Sequence, residues 1–72
     1  MSNINKLRGL MVEKGFTVDQ LAIETGINRS TLYRRLKDGG AEFTLEEVAA
    51  IRRALGMSDE ETRLIFFDNT VA

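Results

Sequence analysis

Apolar residues recur along this chain at helical spacing, in short blocks that end at glycines. The first block predicts a helix that begins near Ser2 or Asn3 and ends at Lys14, with Gly15 as its left-handed cap. Its inward-facing residues are expected to be Ile4, Leu7 and Met11. No segment alternates apolar and polar residues for long enough to form a strand. The pattern therefore predicts an all-α protein.

Two further helix starts lie close together in the next part of the chain. Thr17 is a suitable N-cap, and Gln20 three positions later completes a capping box. This second helix is expected to end at Gly26, whose positive φ would allow a tight turn. An asparagine then opens a third helix over residues 28–37, which Asp38-Gly39-Gly40 would terminate. Two short helices joined by such a turn are typical of a helix-turn-helix.

The same start signal appears twice more before the end of the chain. Thr44 and Glu47 open a fourth helix that reaches about Leu55, and Ser58 and Glu61 open a fifth. The fifth helix contains the apolar run Leu64, Ile65, Phe66 and Phe67. We therefore expect residues 1–72 to form a single domain, a compact five-helix bundle in which the second and third helices are the helix-turn-helix.

The charge of the chain is unevenly distributed. Its formal net charge is −1 at pH 7, which alone argues against nucleic-acid binding. Residues 1–40, however, hold seven Lys or Arg and four Asp or Glu, whereas residues 41–72 hold three and seven. This asymmetry favours a basic face in the first part of the chain, although solvated charges on each helix would give the same counts.

Several classes of protein are disfavoured by what the sequence lacks. Cysteine and histidine are absent, which removes disulfides and the commonest metal ligand and general base. No nucleophile–base pair or phosphate-binding glycine loop is present, so neither an enzyme nor a cofactor or small-molecule ligand is expected. No apolar run approaches the roughly 18 residues of a membrane span, and no secretory leader is seen. We expect a cytoplasmic protein with no membrane partner.

The third helix carries the residues most suited to DNA. If Ile27, Leu32 and Leu36 anchor it to the core, its outer face consists of Arg29, Ser30, Tyr33, Arg34 and Lys37. Early residues of such a helix reach base edges in the major groove. A guanidinium there can bind guanine, and a hydroxyl at Ser30 or Thr31 can contact a base or a phosphate. Tyr33 can contact a thymine methyl group or a phosphate, or instead cover the edge of the core.

The segment TVDQLAIETGINRSTLYRRLKDGG resembles the DNA-binding core of the Cro/repressor-type, lambda-repressor-like helix-turn-helix family of phage and bacterial regulators. The downstream segment FTLEEVAAIRRALGMSDEE is similar to the helix and turn that complete the five-helix fold of that family. The resemblance implies double-stranded DNA as the partner. This chain departs from the family pattern at Val18, where members of the family often have glutamine, and at Arg35, where they usually have an apolar residue.

The resemblance and the helical spacing together define two groups of candidates. The base-reading candidates are Arg29, Ser30, Tyr33 and Arg34. The phosphate-binding candidates are Thr17, Gln20, Thr31, Arg35 and Lys37, with Arg34 as a further candidate. Arg8 and Lys6 on the first helix are possible flanking contacts.

A homodimer is the expected assembly. Four consecutive large apolar residues cannot all lie on one face of a short helix, so one or two should stay exposed. Phe66 and Phe67 are the expected dimer contacts, the alternative being that one of them packs under the first helix.

The leading hypothesis is a sequence-specific DNA-binding regulator, a phage-type repressor that binds pseudo-palindromic sites. The alternative is a protein-interaction module of the antitoxin or anti-repressor type on the same fold. A third possibility is one domain of a longer regulator, against which Met1 and the five-helix count argue.

Overall fold

The computed structural model describes residues 3–37 and 43–67. Its helices are α1 (Ile4–Lys14), α2 (Val18–Thr25), α3 (Arg29–Lys37), α4 (Leu45–Leu55) and α5 (Asp59–Thr62), the last of which continues as a π-helical turn over Arg63–Phe67. These ranges contain no strand, which confirms the predicted all-α fold. The predicted stop at Asp38-Gly39-Gly40 lies outside the described residues. None of the described helices combines the length and apolar character needed to cross a bilayer.

Reciprocal hydrogen bonds define the starts of α2, α4 and α5. At α2, the Thr17 hydroxyl oxygen accepts from the Gln20 backbone N–H at 3.1 Å, while the Gln20 side chain accepts from the Thr17 N–H at 3.0 Å. The same arrangement joins Thr44 with Glu47, and Ser58 with Glu61. The capping boxes predicted from spacing are therefore confirmed, and each satisfies N–H groups that the helix itself leaves unbonded.

Helices α1 to α4 and the π turn all contribute side chains to the core. Its most deeply buried side chains, one from each of α1 to α4, are Leu7, Leu21, Leu32 and Ile51. Helix α2 packs against both α3 and α4, and α1 packs against α4 and the π turn. Because α2 contacts two neighbours, its apolar face sets the position of α3 relative to the rest of the bundle.

The π turn closes the bundle beneath α1. The backbone N–H of Asn3 donates to the carbonyl oxygen of Ile65 at 2.7 Å, which ties the start of α1 to this turn. A π-helix bonds residues five apart, so its turn is wider and consecutive side chains lie closer around the axis. Ile65 and Phe66 are accordingly both buried although they are neighbours in sequence.

The structure corrects the expectation that Phe66 is a dimer contact. Phe66 is 6% exposed, and its ring meets that of Phe43 edge to face with centroids 5.6 Å apart. Phe67 is 48% exposed. Burial of the Phe66 ring between Phe43 and the core removes it from any surface available to a second chain.

Replacing each phenylalanine by alanine should distinguish the core side chain, Phe66, from the surface side chain, Phe67. Phe66→Ala is expected to lower the free energy of unfolding by roughly 3–5 kcal/mol, because it leaves a cavity in the core. Phe67→Ala should cost much less, since about half of that side chain already contacts water. Urea unfolding followed by circular dichroism measures both, and equal losses would contradict the assignment.

Candidate nucleic-acid interface

The turn between α2 and α3 is held by its own hydrogen bonds. Gly26 has φ 77°, in the left-handed region that glycine enters without steric cost. The Thr25 hydroxyl donates to the Leu21 carbonyl oxygen at 2.7 Å and accepts from the Ile27 N–H at 3.2 Å. Asn28 then caps α3, its Oδ1 atom accepting from the backbone N–H of Ser30 at 2.9 Å. These contacts fix the direction in which α3 leaves the turn.

The outer face of α3 forms one side of an open, basic depression. It has a volume of about 640 Å³ and is lined by Arg8, Arg29, Ser30, Tyr33, Arg34 and Lys37. All four predicted base-reading residues therefore lie together, with Lys37 beside them. The opposite face of α3 buries Leu32 and Leu36 in the core. Of the described residues that line it, four are cationic and none is acidic, so the surface favours a polyanion.

Arg29 lies in a cluster that spans α2 and α3. Its Nε atom lies 2.7 Å from Oδ1 of Asp19, and its guanidinium lies 5.5 Å from the centroid of the Tyr33 ring. Hydrogen bonding to Tyr33 and the negative charge of Asp19 raise the pKa of Arg29, a side chain that is charged at physiological pH in any surroundings. Tyr33 is 46% exposed and partners Arg29 at the surface, so it does not serve chiefly to cover the core.

Arg35 departs from its predicted role as a phosphate contact. It lies on the side of α3 that faces α4, where its Nη2 atom is 3.3 Å from Oε2 of Glu47. The two side chains are only 19% and 17% exposed, and the Arg35 guanidinium also lies 5.9 Å from the centroid of the Phe43 ring. Glu47 uses its other carboxylate oxygen to accept from the Thr44 N–H at 2.9 Å. Arg35 thus links α3 to the start of α4.

The other three predicted phosphate contacts lie outside the depression. Thr17 and Gln20 are exposed, but their side chains bond each other and the backbone at the start of α2. Thr31 is half-buried, and its backbone N–H is bound by Asn28 at 3.3 Å. Their contact with DNA stays a prediction that depends on how a duplex approaches α2.

A family model described as a Cro/C1-type HTH DNA-binding domain matches residues 6–61. The chain belongs to this family. The match extends from α1 into α5 and includes the whole helix-turn-helix, which confirms the resemblance drawn from the sequence. No curated protein and no solved structure matches the chain.

Within this Cro/C1-type domain, Arg8 lines the depression although the sequence predicted it only as a flanking contact, together with Lys6. It lies on α1, next in sequence to the fully buried Leu7, and joins Arg34 and Lys37 at the depression. Lys6 instead lines a separate depression with Glu13 and Glu61. Helical spacing identifies both cations as exposed, but only the packing of α1 shows which one lies near α3.

A double-mutant cycle should detect the link between Arg35 and Glu47. Arg35→Met retains an apolar stem and Glu47→Gln retains an acceptor for the capping box, so the cycle isolates the ion pair. We expect a coupling of about 0.5–3 kcal/mol in the free energy of unfolding, since the pair is largely shielded from water. Chemical denaturation measures this quantity, and strictly additive effects of the two substitutions would contradict the assignment.

Proposed function

We propose that this chain is a sequence-specific transcriptional regulator, a repressor of the phage type, that places α3 in the major groove of double-stranded DNA. The observation that carries the proposal is the basic depression on the outer face of α3, on a domain of a DNA-binding family. Such a regulator acts in the cytoplasm, where its DNA lies. The acidic residues of the second half of the chain account for the net charge of −1, and none of those that the structure describes lines this depression.

The contacts divide between sequence recognition and positioning. Arg29 and Ser30 lie in the first turn of α3, which enters the groove most deeply in this class of domain, and they are assigned to base edges. Tyr33 and Arg34, one turn further along, complete the base-reading group. The residues assigned to backbone phosphates are Arg8, Thr17, Gln20, Thr31 and Lys37. Arg35 is omitted because Glu47 and α4 hold it.

A salt titration tests the proposal. Binding sequences are first obtained by in vitro selection, and the affinity of the wild-type chain for them should fall steeply as salt rises, because bound cations release counterions from DNA. An affinity that does not depend on salt would exclude phosphate binding. Absence of any shift at low salt would favour a protein-interaction function for this fold.

A matched pair of substitutions on α3 sharpens this test. Lys37→Met should reduce the slope of log affinity against log salt by about 0.9, the value for one phosphate contact, and should weaken all sequences similarly. Arg35→Met removes the same charge two residues away but should leave the slope unchanged. Equal changes in the two slopes would refute the division between these residues.

We also propose that the chain binds DNA as a homodimer on pseudo-palindromic sites. Two copies would place their α3 helices in successive major grooves, with half-sites about one helical turn apart. Phe67, at the end of the π turn and 48% exposed, is the proposed contact. An aromatic side chain at the centre of an interface is a frequent source of binding energy.

Substitution of Phe67 should therefore weaken self-association. Phe67→Ser is expected to raise the dimer dissociation constant roughly tenfold or more, as loss of a central aromatic contact does. Val12→Ser is the matched control, because Val12 is 79% exposed on α1 and is not part of the proposed contact. Sedimentation equilibrium measures both. A selected DNA site that is saturated by a single copy of the wild-type chain would refute the dimer.

A further inference from the structure

The ion pair between Asp19 and Arg29 joins α2 to α3 at the surface assigned to base reading. The side chains are 52% and 66% exposed, respectively, and their closest atoms are 2.7 Å apart. Pairs as exposed as this contribute little to stability, because water screens the charges and two long side chains lose freedom. The acidic partner also lies beside a surface that otherwise favours an anion. The ion pair therefore matters for the orientation of the Arg29 side chain rather than for stability.

The geometry of the guanidinium shows what this orientation would be. Arg29 meets Asp19 through Nε. The two terminal nitrogens lie across the planar group from Nε, so their shared edge is directed away from the carboxylate. Tyr33 restricts the plane further, since its ring lies 5.5 Å from the guanidinium carbon and its hydroxyl lies 3.5 Å from the same Asp19 oxygen. Asp19 and Tyr33 together thus restrict the orientation of the Arg29 guanidinium.

We propose that Asp19 is a positioning residue for base recognition: it holds Nε of Arg29 so that the terminal nitrogens face the N7 and O6 acceptors of a guanine. The inference rests on the proposed function, because it requires α3 in a major groove. It adds a residue of α2 to the determinants of sequence preference, although Asp19 need not touch the DNA itself.

Two opposing effects of the carboxylate give the proposal a distinctive signature. Holding the long Arg29 side chain in place before binding removes an ordering cost that, for one such side chain, corresponds to roughly a 2- to 10-fold change in affinity. This gain applies only to the base pair that Arg29 reads. The negative charge of Asp19, in contrast, weakens binding to every sequence by repelling phosphates. Loss of Asp19 should therefore lower the preference for guanine at the position that Arg29 reads and, at the same time, raise the affinity for non-specific DNA.

The test uses the full chain and its selected DNA site, with each base pair of the half-site changed in turn. Arg29→Ala should abolish the preference for guanine at one position. Asp19→Ala should lower the preference at that same position by roughly 2- to 10-fold and tighten binding to random DNA. In the Arg29→Ala background, Asp19→Ala should have no effect on the preference.

A control variant separates orientation from charge. Glu24→Ala removes an exposed carboxylate from the same helix, so it should tighten binding to random DNA without changing the preference at any position. An equal loss of preference in Glu24→Ala and Asp19→Ala would overturn the inference. So would a gain in preference in Asp19→Ala, since the carboxylate would then be sequestering Arg29 from the base.

A measurement without DNA addresses the positioning directly. In nuclear magnetic resonance relaxation of the free protein, the Nε–H group of Arg29 should be more ordered in the wild-type chain than in Asp19→Ala. Equal order in both would overturn the positioning role even if DNA binding is confirmed. Failure of the wild-type chain to bind any DNA would instead overturn the proposed function, and with it this inference. Retained binding with unchanged preference in Asp19→Ala would overturn the inference alone.

Discussion

The packing of α2 against α3 across the Gly26 turn is the constraint on which the rest of the structure depends. Leu21 and Leu32, one from each helix, are both fully buried, so neither helix can rotate without exposing a large apolar side chain. The left-handed glycine and the Thr25 hydroxyl leave the turn little freedom to compensate. Burial of these two side chains therefore fixes the direction in which the outer face of α3 is presented.

Two acidic residues from different helices divide the cations of α3 into groups. Glu47 at the start of α4 binds Arg35 on the side facing the bundle, whereas Asp19 on α2 meets Arg29 at the outer surface. Arg34 and Lys37 line the basic depression. The cations of α3 thus differ in their surroundings: Arg35 is bound to α4, Arg29 is paired with α2, and the other two lie at the open depression.

At the π turn, too, the packing of the bundle decides which side chains are buried. Four large apolar residues in succession pose a problem for an α-helix, because each neighbour points about 100° further around the axis. The π turn brings successive residues closer together and buries Ile65 and Phe66, while Phe67 stays half exposed. Only one of the two expected dimer contacts thus remains at the surface.

The sequence by itself determined where the helices begin and which residues form the outer face of α3. Capping boxes and glycine caps depend on residues within one turn of each other, and the inward positions of α3 follow from helical periodicity, so Arg29, Ser30, Tyr33 and Arg34 were predictable as neighbours. Only the tertiary structure decided which side chains from different helices contact each other. That Arg35 meets Glu47, that Arg8 joins the depression and that Phe66 packs on Phe43 depend on how separate helices cross. Local spacing does not encode the crossing angles between helices, because these angles arise from the simultaneous packing of apolar faces that lie far apart in the chain.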